Sequence, residues 1–194
     1  RYRTNTADDM YTTSNGLGDQ LISAVIVAEN LGIFAISDNG VVSVMSANGH
    51  WQILSHSYAG SNTHVVPGLV QLGGTVMVIA FDDRLSFFNL KTSTSIMTIE
   101  RIMDSNLSVT PITALDIRGD SLYVAAGGSV FVRKMDWEKL ESDLQLSNPD
   151  SWKLVKKASG SGEAIKSIAW KNGTLQTFST EGTWLWDKEG ETHV

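Results

Sequence analysis

Residues Ile112 to Val132 read ITALDIRGDSLYVAAGGSVFV, and their pattern is three β-strands in succession. Ile112 to Ile117 alternates apolar and polar side chains, Arg118, Gly119 and Asp120 turn, and Ser121 to Ala126 is apolar and β-rich. Gly127 and Gly128 turn again, and Ser129 to Val132 resumes the alternation. Strands joined by turns this short pair with their neighbours as an antiparallel meander, which makes this stretch most of one four-stranded propeller blade.

The second strand of that unit recurs along the chain. Ile33 to Ser37 matches Val76 to Ala80, then Leu122 to Ala126, then Leu175 to Ser179. The offsets run from roughly 43 to roughly 53 residues, the range of propeller blades and too long for leucine-rich or ankyrin repeats. A turn precedes each copy: Glu29 and Asn30, Gly73 and Gly74, Gly119 and Asp120, Asn172 and Gly173. Another follows each: Asp38 to Gly40, Asp82 and Asp83, Gly127 and Gly128, Glu181 and Gly182. Gly, Asn and Asp tolerate the positive φ of tight hairpins, so the repeat is built of strands.

Extending each copy outward gives an all-β propeller fragment of about four blades, at residues 21–54, 68–100, 112–155 and an incomplete 164–194. Met10 to Thr13 reads as a short outer strand, either the last of a preceding blade or the one that closes a ring. Asp136 to Leu146 reads as one helical insertion in the third blade, with Asp136 as its cap and Trp137, Leu140 and Leu144 on one face. Asn148 and Pro149 stop it, and Trp152 then takes the place that Trp51 holds in the first blade.

The chain has 194 residues, with 15 Lys and Arg against 21 Asp and Glu, a net charge of −6 that disfavours nucleic acid and anionic membranes as partners. Lys153, Lys156, Lys157 and Lys166 read as a solvated blade edge. Cysteine is missing, which excludes disulfides, thiol nucleophiles and Cys-ligated zinc. No apolar run reaches the ~20 residues of a transmembrane helix. Arg1 follows no initiator Met or signal peptide, so the chain reads as a processed or excised piece.

Candidate chemistry is sparse. His56 and His64 lie eight positions apart around a polar loop, but no third metal ligand is evident, and no metal or other cofactor is expected. Asp82 and Asp83 are neighbours on a turn; general acid and base must converge from separate positions, so a turn-forming role is expected. Ser159 to Gly162 is Gly-rich but has neither the Lys nor the helix of a phosphate cradle. The six tryptophans suggest a sugar-stacking surface, yet their strand positions favour packing between blades. Arg84 and Arg118 are the scattered candidates for a channel site. No catalytic residue is assigned, and no residue is singled out for binding.

Thr12 to Leu17, followed by Ile22 to Val25, resembles the blade junction of the two-component-regulator type of propeller repeat of Bacteroidetes-type bacteria. Leu122 to Ala126, the run Leu146 to Leu154 and the closing Glu181 to Trp184 further resemble the β-propeller components of type IX secretion systems. Phe34 to Ser37 and Phe178 to Thr180 depart from the Trp-x-Gly-Thr strand usual in the broader repeat, which weakens a sensor assignment. The resemblance implies a non-enzymatic interaction scaffold of a secretion and attachment complex, in the periplasm or at the outer cell surface. It also implies a sortase-like partner, and lipopolysaccharide bound through a domain outside this chain. Two rival expectations are the extracellular ligand-sensing propeller of a hybrid two-component regulator and a polysaccharide-cleaving propeller enzyme.

Overall fold

Alternation along the chain becomes four antiparallel sheets, each with its strands in sequential order. The computed structural model describes residues 10–55, 63–157, 165–179, 182–187 and 190–193. Sheet one contains β1 (Ile22–Ala28), β2 (Gly32–Ser37), β3 (Val42–Met45) and β4 (Trp51–Ser55). Sheet two contains β5 (Val65–Gly73), β6 (Val76–Phe81), β7 (Leu85–Asn89) and β8 (Thr94–Ile99). A small hairpin, β9 (Arg101–Ile102) and β10 (Ser105–Asn106), precedes sheet three: β11 (Ile112–Arg118), β12 (Ser121–Ala126), β13 (Ser129–Lys134) and β14 (Lys153–Lys157). Sheet four contains β15 (Ser167–Lys171), β16 (Thr174–Phe178), β17 (Thr183–Asp187) and β18 (Gly190–His193). The last strand completes a fourth sheet where the sequence reads an incomplete blade.

The sheets stack through their first strands: β1 meets β5, β5 meets β11, and β11 meets β15. Four-stranded meanders with the first strand innermost and successive sheets face to face are the blades of a β-propeller. Each sheet therefore has a leading face, toward the sheet before it, and a trailing face, toward the sheet after. Phe34 and Ile36 on the trailing face of sheet one pack with Met77 and Ile79 on the leading face of sheet two. Val76, Val78 and Ala80 trail toward Leu115, Leu122 and Val124 of sheet three, and Ala114 and Ala125 trail toward Leu175 of sheet four.

The pairing corrects one expected equivalence. Ile22 pairs with Ser37, Val65 with Phe81 and Ile112 with Ala126, each at the mouth of the hairpin that follows. Met77 to Phe81, not Val76 to Ala80, is thus the counterpart of Ile33 to Ser37. A one-residue slip moves every side chain to the other face.

The expected helix at Asp136 to Leu146 is not an α-helix. Two 3-10 turns, Leu140–Ser142 and Pro149–Ser151, stand in a looped strap. Local acceptors divert the backbone: the Gln145 N–H donates to Asp143 Oδ1 at 3.0 Å and the Asp150 N–H to Asn148 Oδ1 at 3.0 Å. The Gln145 carbonyl accepts from Arg133 Nη1 at 2.6 Å and from the Asn148 N–H at 3.0 Å, an i to i+3 turn bond in place of the i to i+4 bond of an α-helix. Leu140 and Leu146 are buried in the core, whereas Leu144 is 86% exposed, so the expected apolar stripe does not form.

The strap instead staples sheets two and three together. Asn89 Nδ2 of β7 donates to Glu141 Oε1 at 2.7 Å, and the Trp137 ring covers Gly73 at the end of β5. A Cβ on Gly73 would lie 2.4 Å from that ring. Gly73→Ala is expected to displace the indole and cost about 1–3 kcal/mol, read as a lowered Tm with the far-UV spectrum retained.

The expected strand at Met10 to Thr13 is likewise not formed. Thr13–Asn15 is a 3-10 turn capped by the Thr12 side chain on the Ser14 N–H. Gly16, at φ 89°, lies against the Trp51 backbone, where a Cβ would stand 2.2 Å from the carbonyl oxygen, and Leu17 is thereby laid on the Trp51 ring. Leu107 stands in the same relation to Trp152, five residues before the first strand of its sheet. Residues 10–20 thus occupy the place of a blade-to-blade connection.

Candidate functional site

Two surfaces merit description: the rim formed by the second hairpins of sheets one and two, and the leading face of sheet one. At the rim, short turns carry Asp38, Asn39, Asp82 and Asp83 next to the start of β5, where Thr63 and His64 arrive. His64 Nδ1 lies 2.5 Å from Asp38 Oδ2, and the His64 N–H donates to Asp82 Oδ1 at 3.3 Å. Arg84 grips Asp83 with two bonds, Nε to Oδ1 at 2.7 Å and Nη2 to Oδ2 at 2.6 Å, while the Thr63 hydroxyl donates to the same carboxylate at 3.3 Å. Asn39 Nδ2 donates to Asp19 Oδ2 at 3.1 Å.

The Arg84 fork holds the Asp83 carboxyl below the usual carboxylate range, with burial opposing it. A depressed carboxyl contributes stability that is whole above its ordinary pKa of 3.8 and is lost as pH falls through the lowered one. Asp83→Asn is therefore expected to flatten the acid limb of the stability curve below about pH 4. It should cost under about 1 kcal/mol at neutral pH, since the pair is partly solvated. Chemical denaturation at stepped pH reads both.

Asp82 and Asp83 thus act as turn formers tied to different partners. Among the described residues no group of three or more His, Asp or Glu is placed to hold a metal ion. His56 and the loop Ser159 to Gly162 lie outside the described residues. Arg84 and Arg118 are not brought together: Arg84 sits in the turn just before β7 at the rim, and Arg118 ends β11 at the opposite end of the sheets. There the Arg118 guanidinium sits 4.3 Å from the Trp170 ring centroid, and Tyr123 meets the same ring edge-on at 5.0 Å. These contacts join sheets three and four. Burial pushes up both the Asp116 carboxyl and the Tyr123 phenol beside them.

The tryptophans described with their side chains are packing residues. Trp152 is fully buried in the core of sheets two and three, Trp51 is buried under Leu17, and Trp170 packs between sheets three and four. The indole N–H groups of these three find no hydrogen-bond partner among the described residues, while that of Trp137 donates to the Gly119 carbonyl at 3.3 Å. The side chains of Trp184 and Trp186 lie outside them.

The leading face of sheet one differs from its three counterparts. Val25 pairs with Ala35 as Val70 does with Ile79, Leu115 with Val124 and Ile168 with Thr177. Val27 pairs with Ile33 as Leu72 does with Met77, Ile117 with Leu122 and Trp170 with Leu175. Val70 and Leu115 are 7% and 5% exposed under the preceding sheet, whereas Val25 and Val27 are 61% and 72% exposed. Leu21, Ile22 and Ile53 add to the same apolar region. Sequence reasoning finds these residues apolar but has no signal for which of them a neighbour covers.

No family model matches the chain, and no curated protein matches it. Solved structures do. PorZ, an essential bacterial surface component of the type IX secretion system of Porphyromonas gingivalis, matches with a TM-score of 0.67 and 14% identity over 94% of this chain. The extracellular domain of BT4673 from B. thetaiotaomicron, named as a one component system, matches at 0.65 with 11% identity over 96%. The computationally designed Ika8 protein matches at 0.56 with 14% identity over 85% of this chain and 45% of its own. The chain spans 23% of the PorZ chain and 22% of the BT4673 chain. These likenesses define the fold class, a set of β-propeller blades similar to those of PorZ and of BT4673. No helix among the described residues is long and apolar enough to cross a membrane.

Proposed function

We propose that the chain is a non-enzymatic interaction scaffold, a set of propeller blades in an extracytoplasmic assembly of the PorZ kind. The observation that carries this reading is the stack of four-stranded sheets with its likeness to PorZ, joined by the leading face of sheet one, where Val25 and Val27 stand exposed at positions buried or half-buried in the other sheets. Contiguous exposed apolar surface is the mark of an interaction site. The rim supports it further, because the Asp38–His64 pair ties sheet one to sheet two and the Asp83–Arg84 pair fixes the hairpin beside it. Likeness to a surface component of a secretion system supports an extracytoplasmic location, and with it partners among other proteins of a secretion and attachment complex.

A second reading is favoured by the likeness to BT4673, whose extracellular domain is also named as that of a hybrid two component system. On that reading the same blades sense a ligand outside the cell.

The test is made in the source bacterium with the full-length protein, epitope-tagged. Digestion by protease added to intact cells, together with cross-links to outer-membrane secretion proteins, supports the scaffold. Cross-links to a membrane-spanning kinase transfer the assignment to the sensor. Protection from protease even after the outer membrane is permeabilised, until the cells are lysed, overturns both.

A further inference from the structure

We propose that Asn172 is a site of spontaneous covalent modification, where the Gly173 backbone nitrogen attacks the side-chain carboxamide and the residue ages to aspartate and isoaspartate. The inference goes beyond the scaffold reading and does not depend on it.

Four Asn-Gly pairs occur in the chain, at 15–16, 39–40, 48–49 and 172–173. Glycine favours this reaction because it puts no Cβ beside the attacking nitrogen and lets the backbone turn into the cyclic geometry. All four pairs share that advantage, so the sequence alone ranks them equally. The structure separates them by what each carboxamide and each glycine N–H already holds.

Asn15 Oδ1 accepts from the Thr12 N–H at 3.0 Å, and the Gly16 N–H donates to the Thr13 carbonyl at 3.1 Å. Asn39 Oδ1 accepts from the Ser37 hydroxyl, its Nδ2 donates to Asp19, and the Gly40 N–H donates to the Ser37 carbonyl at 2.9 Å. Asn48 Oδ1 accepts from the Ser46 hydroxyl, and the Gly49 N–H donates to the Ser46 carbonyl at 3.0 Å. In these three pairs both reacting groups are tied, and their bonds must break before the groups can meet.

Asn172 and Gly173 differ. They form the two-residue turn between β15 and β16, closed by the pairing of Lys171 with Thr174, and their φ angles are 52° and 85°. Positive φ at both positions is the type I′ hairpin. Both residues are exposed, and a Cβ on Gly173 would meet no atom within 4 Å, so water reaches the turn freely. Among the described residues neither the Asn172 carboxamide nor the Gly173 N–H has a hydrogen-bond partner.

The Gly173 nitrogen bonds to Asn172 Cγ as the Cγ–Nδ2 bond breaks, and the proton lost from that nitrogen leaves with the ammonia. The product is a cyclic imide, which water opens. Cleavage of the new bond to Cγ leaves aspartate on an ordinary main chain, whereas cleavage of the original peptide bond leaves the chain running through Cγ as isoaspartate. Water is the only co-reactant. Either product sets a carboxylate beside Lys171, and isoaspartate adds a methylene to the main chain of a turn whose length and twist are matched to its strands.

The experiment is peptide mapping by mass spectrometry on the purified chain, aged at mildly alkaline pH in native buffer and, in parallel, in concentrated urea. In native buffer Asn172 is expected to convert about tenfold faster than Asn15, Asn39 or Asn48, the factor supplied by one or two hydrogen bonds held in the ground state. In urea the four rates should converge, because the same residue follows each asparagine. Equal rates in native buffer, or a faster rate at any of the other three, overturns the proposal. So does a lead for Asn172 that persists undiminished in urea, since flanking sequence and not the fold would then set the rate.

Discussion

Replacing Trp152 with alanine is expected to lower the unfolding free energy by about 4 kcal/mol, among the largest effects of any single change in the chain. Trp152 is the largest fully buried side chain. It packs in a cluster with Ile102 and Leu107 of the blade connection, Leu140 and Leu146 of the strap, and Phe131 of β13. No small movement of those elements can fill a void of indole size, because each belongs to a different part of the fold. Trp51 holds the equivalent place in sheet one but packs with Leu17, Ala35, the partly buried Ile33 and Met45, and the exposed Tyr11, whose ring meets it edge-on at 5.9 Å. Trp51→Ala should cost about half as much, since its surroundings can collapse toward solvent. Urea unfolding of the two variants measures the difference. Equal losses would mean that something covers sheet one as fully as sheet three is covered.

Arg133→Ala is expected to cost about 3 kcal/mol. Arg133 is a 7% exposed arginine, and its guanidinium has three partners, all in or next to the strap. It donates to Asp143 Oδ2 at 2.6 Å, to the Gln145 carbonyl at 2.6 Å and to the Ser151 hydroxyl. Truncating it leaves the Asp143 carboxylate without its cation, takes one of two donors from the Gln145 carbonyl and opens a void beneath the loop. Arg133→Lys should recover little, because a single ammonium cannot reproduce the planar fork. The strap is the first element expected to loosen, so hydrogen exchange at Ser142, Leu144 and Leu146 should rise in Arg133→Ala before global stability is lost. Unchanged protection there would contradict the clamp.

The parts of the fold that follow from local pattern were legible in the sequence. Alternation in β1, β11 and β15, and Gly, Asn or Asp at the turns, suffice to place the strands and identify the repeat. The slip in sheet two has a physical cause. All six residues of β6 are buried, so no polar side chain marks which face is which, and the Gly73–Gly74 turn imposes no side-chain preference at its ends. Register there is fixed by the hairpin that follows, where the Phe81 N–H donates to the Arg84 carbonyl at 2.8 Å.

The helix expectation failed for a different reason. Trp137, Leu140 and Leu144 have helical spacing, but tertiary partners outcompete it: Gly73 receives the Trp137 ring and Arg133 takes the Gln145 carbonyl. Such partners are distant in sequence and leave no local signal. The candidate surface was legible only in composition. Valines at positions 25 and 27 look like core in any blade, and only the stacking of sheets reveals that theirs is the face with no sheet in front of it.

The central claim is that one strand position is packed by a preceding sheet in each blade except the first. Single cysteines at Val25, Val70 and Leu115 test it most directly, since the chain has none of its own. Thiol labelling rates are measured on folded protein dilute enough for copies to separate. The account predicts that Val25→Cys reacts at nearly the rate of an unfolded thiol, while Val70→Cys and Leu115→Cys react orders of magnitude more slowly, at the rate of unfolding. Equal protection at all three positions, or fast labelling at Leu115, would contradict the stacked-blade arrangement.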